Sequence, residues 1–110
     1  MNPDASAANE AILVKVENLG GGYVWEPEIF AITLMDVALT DEQACVLTGL
    51  SGVEQIAINA SRLTLPALQA IAGIPGLKSL VLSRSLLSAE QRQLLEKIGP
   101  EIQVVNDEQS

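Results

Sequence analysis

The chain has no histidine, one cysteine and three aromatic residues among its 110 positions. Without histidine it lacks the commonest general base and the commonest neutral metal ligand. Cys45 has no second cysteine with which to form an internal disulfide, which fits a reducing compartment. Basic residues are scarce as well, six Lys and Arg against fourteen Asp and Glu, for a net charge of −8. Nucleic-acid affinity comes largely from clustered Lys and Arg, so no nucleic-acid partner is expected. No apolar run approaches the roughly 18 residues that suggest a spanning helix. Residues 1–10 carry neither a basic n-region nor an apolar h-region, so no signal peptide is visible. The expectation is a soluble cytoplasmic protein without a membrane partner, although a chain trimmed of an export signal would read the same.

What is present is aliphatic and periodic. Hydrophobic residues make up 48% of the chain, almost all of them Leu, Ile, Val and Ala. That composition points to stacked regular elements. Three gapless segments of 24 residues align, 29–52, 53–76 and 77–100. Ile29, Val53 and Leu77 open them; Ile32, Ile56 and Leu80, then Leu34, Ile58 and Leu82, follow. Leu39, Leu63 and Leu87 come next, with Leu47, Ile71 and Leu95 on the following segment and Leu50, Ile74 and Ile98 near the close.

The spacing changes within each unit. Its first part alternates with period two, as a half-buried strand does, and its later part steps by three, as an amphipathic helix does. A helix-start residue separates the two parts in every copy: Thr40, Thr64 and Ser88. Gln43 and Gln91 complete predicted capping boxes, whereas the middle copy places Pro66 in its first helical turn. Gly49, Gly73 and Gly99 mark the expected helix ends. A strand followed by a helix leading to the next strand requires parallel pairing.

These residues carry a resemblance. The pattern L-x-x-L-x-L, then a Ser-like position, an apolar residue and a capping Thr or Ser, resembles the leucine-rich-repeat family. It is most similar to the bacterial subclass of 24-residue repeats with a helical convex side. Val53, Ile56, Ile58, Ser61, Leu63, Thr64, Leu68, Ile71 and Ile74 carry it, with their counterparts in the adjoining copies. Val37 departs from the Ser61 and Ser85 column, and no copy has the Asn that many members place there. Arg92 replaces the column of Ala44 and Leu68, which suits a final unit with no apolar flank to cover. The fold this implies is α/β: a short leucine-rich-repeat solenoid with a parallel inner sheet, outer helices and an N-terminal helix–strand cap.

Three regions follow from this reading. Residues 1–28 form the cap, with a helix over 5–19 whose stripe is Ala8, Ile12, Val16 and Leu19. The stop at Gly20, Gly21 and Gly22 leads to a short strand at Tyr23, Val24 and Trp25 and a turn at 26–28. Residues 29–105 hold the repeats and a closing strand from Glu101 to Val105, and 106–110 form a polar tail expected to be mobile.

Candidates for chemistry are few. Cys45 aligns with Gln69 and Gln93 as an outward helix position and lacks the activating neighbour that a nucleophilic thiol requires. Asp36, Asp41 and Glu42 cluster in sequence, but Asp41 and Glu42 fall in a first helical turn, where acids meet the dipole favourably. Gly20–Gly22 lacks the following Lys-Ser or Lys-Thr of a phosphate loop, and Asn59-Ala60-Ser61 is a glycosylation sequon only on an export route. Neither an enzyme nor a cofactor is expected.

The surface of interest is the inner sheet. Its outward positions are expected in rows: Ala31, Gln55, Ser79 and Gln103; Thr33, Ala57, Val81 and Val105; Met35, Asn59 and Ser83. These small, uncharged residues read either as ordinary solvated sheet positions or, as the family resemblance implies, as a protein-docking face. Residues 1–61 hold nine acids and one base and carry the whole net charge, while 62–110 balance. Glu26, Glu28, Asp36, Asp41, Glu42 and Glu54 belong to that acidic half, a charge that would steer a basic partner. The leading expectation is a non-catalytic protein-interaction module, monomeric or weakly homo-oligomeric. The alternatives are a self-assembling unit joined through an edge strand, and a small acidic inhibitor of a basic toxin or nuclease.

Overall fold

A computed structural model describes residues 3–26, 28–83 and 87–105, with the backbone alone for 3–7. The expected tail at 106–110, Pro27 of the turn and Ser85 lie outside the described residues. The elements are α1 (Pro3–Asn18), β1 (Gly22–Glu26), β2 (Ile29–Ala38), α2 (Asp41–Leu47), β3 (Gln55–Asn59), α3 (Leu65–Ala72), β4 (Ser79–Ser83), α4 (Ala89–Glu96) and β5 (Glu101–Val105). The fold is α/β, with four helices and one five-stranded sheet whose strand order, β1-β2-β3-β4-β5, is the order of the chain. β2 to β5 run parallel, and β1 pairs antiparallel with β2 through a tight hairpin.

Alternation explains which face is buried. Ile32, Leu34, Ile56, Ile58, Leu80, Leu82 and Ile102 point from the strands into one core, where Leu47, Leu68, Ile71 and Leu95 meet them from the helices. All of these are at most 2% exposed. Burying a Leu or Ile side chain contributes on the order of 1.5–3 kcal/mol, so these columns dominate the stability.

The helices begin where the sequence places them. Thr40 and Ser88 are N-caps with complete capping boxes: each hydroxyl accepts from the backbone N–H three residues on, and Gln43 or Gln91 accepts in return. Thr64 is also an N-cap, but its side chain makes no cap bond within its own helix. Gly73 is the C-cap of α3 and Gly49 directly follows Thr48, the C-cap of α2, so these helices end where the sequence places their ends. Neither glycine has a positive φ; Gly52 and Gly76, three residues further on, do, so in these two units the turn into the next strand is what demands glycine. At the end of α1, Gly20 (φ +100) completes a Schellman pair, with Gly20 N donating to Glu17 O and Gly21 N to Val16 O.

Four further expectations are corrected. The α1 stripe does not include Ala8, which is exposed; Asn9, Leu13 and Val16 are buried, and Ile12 and Leu19 pack on the core. β2 is ten residues long, and its register with β3 jumps from Leu34↔Ile58 to Ala38↔Asn59, so Met35, Asp36 and Val37 bulge out of the ladder. The closing strand pairs Ser79↔Glu101 and Val81↔Gln103, two residues off the 24-residue register that holds between β2 and β3 and between β3 and β4. Its cause is the shorter link from α4 to β5, which covers 97–100 where α3 to β4 covers 73–78. An even shift keeps the same strand face inward, so Ile102 stays buried. Two column members do not keep their place: Ile98 is 42% exposed where Leu50 and Ile74 are buried, and Ile29 is 45% exposed where Val53 and Leu77 are buried.

Candidate functional site

The sheet face opposite the buried columns carries exposed and half-buried side chains. Parallel register aligns its side chains in rows: Ala31↔Gln55↔Ser79↔Glu101 and Thr33↔Ala57↔Val81↔Gln103. Thr33, Gln55 and Gln103 are exposed, and Ala31, Ala57 and Ser79 half-buried. The expected third row is absent as a surface. The β2 bulge removes Met35 from the ladder, Asn59 (8% exposed) and Ser83 (0%) are buried, and Val81 in the second row is buried as well. After Ile58 the chain turns towards the helix layer, and the Asn59 carboxamide oxygen accepts from Ser61 N at 3.0 Å, holding that turn. Val105 falls opposite Ser83 rather than in the Val81 row.

At the hairpin end this face sinks into a shallow groove of ≈ 370 Å³ lined by Tyr23, Val24, Ala31, Ile32, Thr33, Gln55 and Ala57. The β1 contribution is the part that pattern reasoning missed. A strand at 23–25 was legible, but its antiparallel return along β2, which brings Tyr23 and Val24 beside Ala31 and Thr33, was not drawn. The signal lies in the tight turn between two alternating runs. A second concavity, ≈ 320 Å³, lies around the hairpin and includes Trp25, Glu26, Glu28, Ser51 and Glu54. Glu54 is also paired with Lys78 at 2.9 Å, both partners being substantially exposed.

The acidic half thus divides in two. Glu26, Glu28 and Glu54 gather where the parallel strands start, whereas Asp36, Asp41 and Glu42 lie at the opposite end, beyond the β2 bulge. Asp41 has a specific task there. One carboxylate oxygen accepts from Thr64 N at 2.9 Å and the other from Thr64 Oγ1 at 2.7 Å. These two bonds, the backbone one first, hold the Asp41 carboxyl below its ordinary value of 3.8. Asp41 of α2 therefore accepts from the N-cap backbone of the next helix, as Gln43 and Gln91 do within their own helices.

Cys45 is exposed on α2. Among the described residues, no three Cys, Asp or Glu side chains come together in a way suited to holding a metal ion. No helix among them is long and apolar enough to cross a membrane. Comparison with protein-family models, with curated proteins and with solved structures found no match for this chain.

Proposed function

We propose that the chain is a short leucine-rich-repeat module of solenoid type, non-catalytic, that binds a protein partner on its open sheet face. The observation that carries this reading is the groove at the hairpin end of that face. Its lining is uncharged and, apart from Gln55, small or apolar, and it lies beside Glu26, Glu28 and Glu54. Such a surface offers contact area without the desolvation cost of buried charge. The acidic rim raises the on-rate of a basic partner more than its affinity. The 24-residue register between β2, β3 and β4, with an N-capped helix in each unit, supports the repeat reading. α1 serves in it as a cap over the first unit: Leu13 and Val16 enter the shared core.

The test is affinity capture from native lysate, comparing the wild type with Thr33→Arg plus Ala57→Arg. Both positions face the groove, and neither side chain belongs to the core cluster. Loss of the captured protein with an unchanged melting temperature is the expected result. An unchanged set of partners assigns binding to another surface.

A further inference from the structure

Among the described residues, the two sheet edges differ in how they are covered. On the β5 side, Arg92 Nη2 donates to the Ile102 carbonyl at 3.0 Å, and the strand carries the exposed Glu101 and Gln103. β1 has no such protection. Its register with β2 is continuous, without a bulge, and it contains neither Lys, Arg nor Pro. Tyr23, Val24 and Trp25 are 39%, 43% and 37% exposed, so apolar surface is open on both faces of the strand. Trp25 is already stacked on Phe30, with ring centroids 5.4 Å apart, so its aromatic face is held in place before any partner arrives. An edge strand with free backbone donors and acceptors and apolar flanks is a template for another strand.

We propose that β1 pairs antiparallel with β1 of a second copy about a two-fold axis through Val24, joining two five-stranded sheets into one. The sequence Gly-Tyr-Val-Trp-Glu is complementary to itself in that register. Val24 faces its own counterpart, and Tyr23 faces the partner's Trp25, an aromatic cross-strand pair of the kind that stabilises sheets. Glu26, the single charge in the strand, falls opposite the partner's Gly22, so no like charges are directly opposed. All five residues of each strand find a partner. Pairing β1 to the β5 edge of another copy would instead meet Glu101 and a carbonyl already taken by Arg92.

Three partly exposed side chains per copy supply the apolar surface on β1, which places the dimer in the weak class, below roughly 1,200 Å² in total. With each copy at −8, association strengthens as salt is added. Tyr23 and Val24 also line the groove of the open sheet face, but the dimer needs only the β1 backbone edge and neither Thr33 nor Ala57, so the two proposals fail separately.

Sedimentation equilibrium across concentrations and at low and high salt reads the association directly. The wild type is expected to move from monomer to dimer with concentration, and to do so more readily at high salt. Val24→Glu places two carboxylates face to face and is expected to weaken the dimer by about tenfold. A cross-link makes the geometry specific. In a Cys45→Ser background, Val24→Cys is expected to form a disulfide-linked dimer under mild oxidation, because directly opposed Cα atoms lie about 4.5–5.5 Å apart, within the span that a disulfide bridges. Gln103→Cys on the far edge is expected to stay uncross-linked. A strict monomer at every concentration overturns the proposal. So does a dimer that Val24→Glu leaves intact, or cross-linking that favours the Gln103→Cys variant.

Discussion

A single carboxylate joins two neighbouring units at the residue scale. Asp41 ends both of its hydrogen bonds on Thr64, 23 positions away, and these bonds favour its charged form. Because its folded-state pKa is depressed, unfolding takes up a proton in the acid range. The stability it contributes is complete above the ordinary carboxyl value of 3.8 and is lost as pH falls through the lower folded value. Asp41→Asn is therefore expected to melt below the wild type at neutral pH, with the difference closing at strongly acid pH. Thermal melts of both proteins across pH check this, and a gap that persists unchanged in acid refutes the ionic account. Sequence reading placed Asp41 at a helix N-terminus correctly but assigned it to its own helix. The partner was illegible because the distance between Asp41 and Thr64 depends on how successive units stack.

Helix starts are the most legible feature at the element scale. Thr40 with Gln43 and Ser88 with Gln91 form boxes whose residues, spacing and geometry are all local. Ser88→Ala is expected to lower stability by about 1 kcal/mol in urea unfolding, the usual loss for a hydroxyl cap. Attachment of α1 is less legible. Asn9 is 5% exposed, its Nδ2 donating to Ser51 O and its Oδ1 accepting from Ser51 N, both at 3.0 Å. Nearby, a Cβ on Gly49 would sit 3.0 Å from Ile12 Cδ1, so the helix packs closely over the end of α2. A polar residue inside the buried stripe breaks the apolar pattern, which is why Ala8 looked the better member. Asn9→Ala is expected to cost about 1–3 kcal/mol by removing both bonds to Ser51. Urea titration of that variant decides it, and a change within a few tenths of a kcal/mol would make the pair incidental.

At the scale of the whole molecule, the columns of Ile32, Ile56, Leu80 and Ile102 run through one core across four parallel strands. Ile56→Ala, at 0% exposure in the second strand of that row, is expected to cost about 2–5 kcal/mol in chemical unfolding. Amide exchange in dilute solution is expected to be slowest in β3 and β4 and faster in β1 and β5, since edge strands lack a neighbour on one side. Equal protection in all five strands would contradict that ordering. The α/β class, the parallel pairing and most members of the core columns were legible because period and capping are written locally, Ile29 and Ile98 at the two ends of the repeats being the exposed exceptions. The β2 bulge, the two-residue shift at β5 and the burial of Asn59 and Ser83 were not. Each depends on how long a connection is once it has folded against its neighbours, which alternation alone does not encode. The same holds for the open sheet face: its rows were readable, but its groove needed the β1 hairpin.

Strand order and chain order coincide across the sheet, so no segment crosses over or threads past another. Most long-distance pairing therefore joins residues about one unit apart, a short loop to close for a parallel sheet. Growth by duplication follows from that arrangement. A second copy of residues 53–76, inserted directly after the first, would add one strand and one helix between existing neighbours without rerouting the chain on either side. Such an insertion would lengthen the sheet by one strand while leaving the β1–β2 hairpin and the Arg92 contact at its two ends as they are.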